Sequence, residues 1–137
     1  LPRTLTSERH ADMLINLDLG DNLLEGPLPS DLGNLASLRR LSLYENDFTG
    51  TIPSSIGLCS DLRELYLDAN QFSGPVPEEL YQLSNLTDLR LRHNELSGTI
   101  SESIFKLADL EILYMDTNEF TGEIPYRLDD VPNLEEV

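Results

Sequence analysis

The sequence predicts a solenoid, a stack of five similar turns of chain, and three periodic features support that prediction. The 137 residues contain an Asn that recurs every 24 residues, a Gly with the same period, and Leu columns in phase with both. Such self-similarity indicates stacked repeats, because each unit can bury its apolar face only against its neighbours. The recurring residues are Asn22, Asn46, Asn70, Asn94 and Asn118, with Gly26, Gly50, Gly74, Gly98 and Gly122.

The first segment of each repeat is predicted to form a short strand. In the second repeat Leu41 and Leu43 alternate with polar residues, which predicts a strand with one buried face. Asn46 follows where the chain turns inward, and its amide can both donate to and accept from backbone groups that would otherwise be buried without partners. Stacking then predicts a structural ladder of Asn22, Asn46, Asn70, Asn94 and Asn118.

The second half of each repeat predicts a compact return to the next strand. Phe48 returns to the core, Gly50 relaxes the backbone, and Ile52 packs inside. Pro53 fixes the exit of the turn and disfavours a long regular helix after it.

This Asn-to-Pro pattern, with Gly-x-Ile-Pro after the Asn, resembles the plant-type leucine-rich-repeat family. The clearest stretches are Asn46 to Pro53, Asn70 to Pro77 and Asn118 to Pro125, and the resemblance covers about residues 13 to 137. It implies an α/β fold, a leucine-rich-repeat solenoid that forms a right-handed superhelix. A parallel β-sheet would line the concave side, with 3₁₀ segments and loops on the convex side.

The columns also predict how the chain is divided. Five leucine-rich repeats are expected over residues 13–133, with units at 14–37, 38–61, 62–85, 86–109 and 110–133. Residues 1–12 fit no full repeat, so they are either an irregular N-terminal segment or the tail of a preceding repeat. Residues 134–137 read as the start of a truncated sixth repeat, and we expect the whole chain to be a fragment of a longer array.

Composition excludes several functional classes. A net charge of -16 would repel nucleic acid and anionic membranes. The chain contains no apolar run long enough to insert into a membrane.

Cys59 is the only cysteine, and neither His has a partner at metal-ligand spacing, so we expect no metal site and no cofactor. Catalytic motifs are absent as well, which argues against an enzyme.

The predicted concave face has an unusual composition. Its outward positions hold five of the nine Lys and Arg and eight acidic residues, so this face is near neutral while the rest carries most of the negative charge. Three of the five Tyr also fall there. Tyr and Arg contribute most strongly to interfaces, because each offers a large contact area with polar reach. The predicted ligand-binding residues are Tyr44, Tyr66, Arg90, Arg92, His93 and Tyr114.

A second interpretation of these side chains is lateral pairing between neighbouring strands. Exposed pairs contribute only about 0–1 kcal/mol each, so stability alone does not explain the composition, and the two interpretations are compatible. The candidate contacts are Arg40 with Glu64, Arg90 between Tyr66 and Tyr114, and Arg92 with Asp68 and Asp116.

These features predict a recognition module that binds a protein, peptide or glycan through its concave face. The resemblance implies a receptor-like or secreted parent protein, which could also carry a membrane span and a kinase domain. A structural spacer and a soluble inhibitor of a secreted enzyme are the alternatives. Asn85 begins an Asn-Leu-Thr glycosylation sequon, which favours an extracellular or cell-surface location while leaving a cytoplasmic one open.

Overall fold

The computed structural model describes Thr6, residues 13–125, Asn133 and Leu134. Five short parallel strands form one sheet in the order β1-β3-β5-β7-β9. Neighbouring strands pair one repeat apart, so that Leu17, Leu41, Leu65, Leu89 and Leu113 lie in one row. The strands are Asn16–Asp18 (β1), Arg40–Ser42 (β3), Glu64–Tyr66 (β5), Asp88–Arg90 (β7) and Ile112–Tyr114 (β9).

A second parallel sheet, which the sequence did not predict, follows the turn of each repeat. Its order is β10-β8-β6-β4-β2. These segments are only two to four residues long and four of the five contain Gly, so their side chains show little of the alternation that predicts a strand. Their backbone groups still need hydrogen-bond partners. The strands are Glu25–Pro27 (β2), Asp47–Gly50 (β4), Gln71–Gly74 (β6), Glu95–Gly98 (β8) and Glu119–Phe120 (β10).

The return segments are short 3₁₀ helices on the convex side, as the family resemblance implied. Pro53 and Pro77 precede two of them in extended conformation, with φ near -69° and -67°. Ser101 takes the same position in the fourth repeat, where its Oγ accepts a hydrogen bond from the Ser103 amide at 3.1 Å. The helices are Leu32–Asn34 (η1), Ser54–Leu58 (η2), Glu78–Gln82 (η3) and Glu102–Lys106 (η4).

The core is a continuous column of apolar side chains between the two sheets and the 3₁₀ helices. Leu41, Leu65 and Leu89 are fully buried, and so is Cys59, which occupies a Leu column. The Phe48 and Phe72 rings stack with centroids 6.2 Å apart. Each repeat thus completes the core of its neighbours, and the predicted leucine-rich-repeat solenoid is confirmed.

The predicted chain divisions lie partly outside the described residues. Within the segment 1–12 only Thr6 is described, and its buried backbone carbonyl accepts a hydrogen bond from Asn34 Nδ2 at 3.2 Å. The fifth repeat is described continuously to Pro125 and then at Asn133, and the sixth only at Leu134. The assignment of the two ends therefore stays a prediction.

Candidate ligand-binding surface

The Asn ladder holds the strands of the concave sheet in place. Asn70 Oδ1 accepts from the Phe48 amide at 3.0 Å, and its Nδ2 donates to the Leu43 carbonyl of the preceding repeat at 2.9 Å. The same Nδ2 also contacts the Leu67 and Asp68 carbonyls of its own repeat at 3.2 Å. Equivalent hydrogen bonds recur one repeat apart at Asn46, Asn94 and Asn118.

Asn22 occupies the first position of the same column with a smaller set of contacts. Its Nδ2 donates to the Leu19 and Gly20 carbonyls at 3.1 and 2.8 Å, both within its own repeat. It is exposed, whereas Asn46 and Asn70 are each only 9% exposed. Among the described residues, the Asn side-chain bonds that tie one turn to the preceding one therefore begin at Asn46, while backbone bonds such as that from the Asn22 amide to the Glu45 carbonyl already join the first two turns.

The concave face carries a continuous stack of alternating Arg and Tyr side chains, which we call the Arg–Tyr stack. It consists of Arg40, Tyr66, Arg90, Tyr114 and Arg92. The guanidinium carbons of Arg40 and Arg90 lie 4.8 and 4.7 Å from the centre of the Tyr66 ring. Those of Arg90 and Arg92 lie 5.3 and 5.2 Å from the Tyr114 ring centre. These distances are within the range of cation–π attraction, so the side chains order one another.

Three carboxylates neutralise part of the Arg–Tyr stack. Arg40 forms an ion pair with Glu64 and a longer one, 3.8 Å, with Asp18. Asp88 is only 7% exposed, and its Oδ2 accepts from Arg90 Nη2 at 2.9 Å. Hydrogen bonding to Asp88 raises the pKa of Arg90 further, so this guanidinium stays charged. A buried carboxylate of this kind fixes the direction of its partner, because leaving either charge unpaired would be costly.

The Tyr66 hydroxyl joins the two charged pairs. It lies 3.0 Å from Glu64 Oε2 and 2.9 Å from Asp88 Oδ2, so its single O–H can donate to either carboxylate. Burial and these carboxylates raise the pKa of Tyr66, so the phenol stays protonated at physiological pH. Arg40, Glu64, Tyr66, Asp88 and Arg90 thus form one network across β3, β5 and β7.

Two of the predicted binding residues, Tyr44 and His93, lie outside both this network and the Arg–Tyr stack. Tyr44 packs on Gly20 of the preceding repeat, where an added Cβ would come within 2.1 Å of its ring. His93 is exposed at the turn after β7, in the left-handed region with φ 55°. The structure therefore brings Tyr66, Arg90, Arg92 and Tyr114 together and leaves Tyr44 and His93 apart from them.

Part of the lateral pairing occurs and part does not. Arg40 pairs with Glu64, and Arg90 lies between Tyr66 and Tyr114, as that interpretation predicts. Arg92, however, forms no ion pair with any residue that the structure describes. It lies over Tyr114 instead, and the suggested pairing with Asp68 and Asp116 is present only as a longer-range attraction between Arg92 and Asp68.

Asp68 is a partly buried carboxylate on the same face. Burial is the main cause that raises its pKa above the ordinary value, and the charge of Arg92 opposes this effect. Arg92 is therefore close enough to influence Asp68 without forming an ion pair.

Arg40, Glu64 and Asp88 were not among the site residues that the sequence predicted. They occupy the outward position before the middle Leu of each strand, in register one repeat apart. The signal in the sequence was this column of charged residues on neighbouring strands, in which Arg40 faces Glu64. The contacts of Tyr66 with Asp88 and of Arg40 with Tyr66 are diagonal, and the repeat period alone does not reveal them.

The described residues offer neither a metal site nor a membrane-spanning helix. Across residues 13–125 and the few others described, no group of three His, Cys, Asp or Glu side chains is arranged to hold a metal ion. None of the helices in that part of the chain is long and apolar enough to span a membrane.

Comparison with known proteins places this architecture in a family. One model for the leucine-rich repeat matches residues 60–120, and a second matches residues 13–35 and 37–59. The chain belongs to the leucine-rich-repeat family. No curated protein sequence matches it significantly.

Solved structures show the leucine-rich repeats of plant receptors as its structural neighbours. The ectodomain of the Arabidopsis thaliana membrane receptor kinase GASSHO1/SCHENGEN3, in complex with CASPARIAN STRIP INTEGRITY FACTOR 2, matches 99% of this chain and 16% of its own, with 39% identity and a TM-score of 0.94. The plant peptide hormone receptor RGFR1, in complex with RGF2, matches 98% of this chain and 21% of its own, with 36% identity and a TM-score of 0.93.

A third neighbour is the Arabidopsis receptor kinase HAESA, in complex with the peptide hormone IDA and the co-receptor SERK1. It matches 93% of this chain and 22% of its own, with 32% identity and a TM-score of 0.87. The chain thus spans only about a sixth to a fifth of the length of these leucine-rich-repeat proteins.

Proposed function

We propose that this chain is part of a receptor-like leucine-rich-repeat protein and binds a protein or peptide ligand through its concave face. The observation that carries the proposal is the Arg–Tyr stack, which crosses β3, β5, β7 and β9. The three similar receptors in complex with a partner support the choice of a polypeptide ligand. A glycan remains the second ligand class for the same face.

The stack suits recognition because its side chains are already ordered. Ordering a flexible Arg on binding costs conformational free energy, and a ring on each side of Arg90 reduces that cost. Arg40 and Arg90 are matched by carboxylates, whereas Arg92 has no ion pair among the described residues. The Arg92 end of the stack therefore offers positive charge beside the Tyr114 ring.

We further propose that the chain is extracellular and that Asn85 carries a glycan. Asn85 is exposed, and its Nδ2 donates to the Ser60 carbonyl at 2.9 Å. Secretion from a eukaryotic host should give a product whose mass falls on deglycosylation, and Asn85→Gln should abolish that difference. A secreted product of unmodified mass would contradict the glycosylation proposal.

The binding proposal is tested by capturing partners from extracellular extracts on the immobilised chain. The test variant carries Arg90→Glu, Arg92→Glu and Tyr114→Ala. A control variant carries Lys106→Glu and Leu58→Ala, which change exposed residues of the convex side. Circular dichroism establishes that all three proteins are folded.

The proposal predicts that a partner binds the unmodified chain and the control variant but not the test variant. Equal capture by all three proteins would place the binding site away from the Arg–Tyr stack. Absence of any partner would favour the structural-spacer alternative. A captured secreted enzyme that loses activity on binding would instead favour the inhibitor alternative.

A further inference from the structure

A second surface, distinct from the concave face, crosses the flank of the first three repeats. It is an open groove of about 480 Å³, a size within the usual range of ligand sites. Leu28 and Ile52 are 6% and 3% exposed and form its floor. The other lining residues are Pro27, Ser30, Thr51, Pro53, Ser54, Pro75 and Pro77. We call this surface the proline groove.

The proline groove lies between the second sheet and the 3₁₀ helices. Pro27 ends β2, and Pro53 and Pro77 immediately precede η2 and η3. Four of its nine lining residues are Pro, which has no amide hydrogen. The carbonyls of Pro53 and Pro77 already accept hydrogen bonds from the Ile56 and Leu80 amides, so the lining is mainly an apolar surface.

The charge around the proline groove favours a cationic ligand. Segments 22–38, 46–62 and 70–86, which form the non-concave part of these repeats, contain no Lys or Arg. They contain six acidic residues, all exposed: Glu25, Asp31, Asp47, Asp61, Glu78 and Glu79. Hydrogen bonds from Ser101 and Ser103 lower the pKa of Glu78, which keeps that carboxylate ionised. The charge of Lys106 also lowers the pKa of Glu78, and Asp61 shares a separate cleft with Arg39 and Arg63. The acidic rim of the groove therefore consists of Asp31, Glu78 and Glu79, which follow the lining residues Ser30 and Pro77 in the chain.

We propose that the proline groove binds a short, extended, cationic segment of a partner protein, with an apolar side chain over Leu28 and Ile52 and Lys or Arg side chains toward the acidic rim. From Pro27 to Pro75 the groove crosses two intervals of a parallel stack, about 10 Å, which matches roughly three extended residues. This site is independent of the concave surface, so a partner can engage both faces at once.

The test is a titration of the ¹⁵N-labelled chain with the synthetic peptide Arg-Lys-Leu-Pro-Lys-Arg, followed by NMR. The proposal predicts saturable shift changes at the amides of Thr51, Ile52 and Ser54, with little change at Tyr66 and Arg90. Binding should weaken strongly at high salt, because the charges on the rim are exposed. A matched peptide with Glu in place of each Lys and Arg should not bind.

A pair of variants keeps the test specific to the groove. Ser54→Trp places a large side chain in the groove from an exposed position and should weaken binding about tenfold or more. Glu102→Trp makes the corresponding change two repeats later, outside the groove, and should leave the affinity within about twofold. The proposal is overturned if the cationic peptide shows no saturable binding, if it shifts the concave face instead, or if both variants bind alike.

Discussion

At the scale of single residues, the Asn at the turn of each repeat links backbone groups that no apolar side chain of its size could satisfy. Asn70 Oδ1 accepts from one backbone amide, and the two hydrogens of its Nδ2 are distributed over three carbonyls of two repeats. One side chain thus supplies partners to several backbone groups that are otherwise buried. Asn22 makes only local bonds and is exposed. The contribution of each Asn therefore depends on whether a preceding repeat packs against it.

Asn70→Ala is expected to lower the free energy of unfolding by roughly 1–3 kcal/mol, since it leaves buried backbone groups without partners. Asn22→Ala and Asn16→Ala, at exposed positions, should each change it by less than about 0.5 kcal/mol. Chemical denaturation of the three variants measures the difference. Equal losses for all three would show that the ladder does not link the turns.

Cys59 provides a residue-scale test of core burial. Burial raises the pKa of its thiol to about 11, so the native thiol stays neutral and shielded. Labelling by a thiol reagent at pH 8 should therefore be slow and should speed up with denaturant. Rapid labelling of the native chain would mean that this part of the core is open.

The raised pKa of Cys59 also predicts how stability depends on pH. An unfolded Cys ionises near its ordinary pKa of 9.0, whereas the folded one holds its proton to about 11. The folded state then binds more protons between these values, so stability should fall as pH rises from about 9 to 11. Tyr81, whose pKa burial raises to about 12, acts in the same direction at higher pH. Cys59→Val should reduce the loss of stability between about pH 9 and 11. An unchanged loss of stability would mean that other groups cause it.

At the scale of elements, the 3₁₀ helices determine how closely the repeats approach on the convex side. A Cβ on Gly33 would lie 2.1 Å from the Ser55 carbonyl oxygen, and one on Gly57 would lie 2.6 Å from that of Glu79. The next residue in this column is Tyr81, whose ring is buried. Gly therefore permits close contact of η1, η2 and η3, and an aromatic side chain fills the space beyond η3.

Gly57→Ala should destabilise the fold by about 1–3 kcal/mol, because the added methyl meets backbone atoms of Glu79. The better helix propensity of Ala offsets only about 1 kcal/mol of this loss. Leu58→Ala changes the neighbouring residue, which is 66% exposed, and should be nearly neutral. Thermal unfolding of both variants measures the difference, and a stabilised Gly57→Ala would mean that η2 and η3 are less tightly packed.

At the scale of the whole molecule, the repeat period determines how much of the structure could be predicted. The Leu rows recur in every repeat, so the concave strands followed directly from periodicity. The second sheet was missed because its strands are short, are held by backbone pairing and mostly contain Gly. The roles of Glu64 and Asp88 were missed because outward positions vary between repeats, and their contacts with Tyr66 depend on side-chain geometry.

The whole molecule also separates charge between its faces. All the Arg of the described segment lie on the concave side or at its margin, whereas the flank of the first three repeats is acidic. The concave face is near neutral, because its Arg are accompanied by acidic residues, so a cationic segment should be favoured more strongly at the proline groove than at the concave face.

The central claim, that ligands bind at the Arg–Tyr stack, is tested most directly by site-specific photocrosslinking in extracellular extracts. A benzophenone amino acid is placed at Tyr114 in one protein and at Leu58, an exposed convex residue, in another. We expect a discrete crosslinked partner from position 114, suppressed by Arg92→Glu, and none from position 58. A partner crosslinked from position 58 alone would contradict the claim and move the binding site to the convex side.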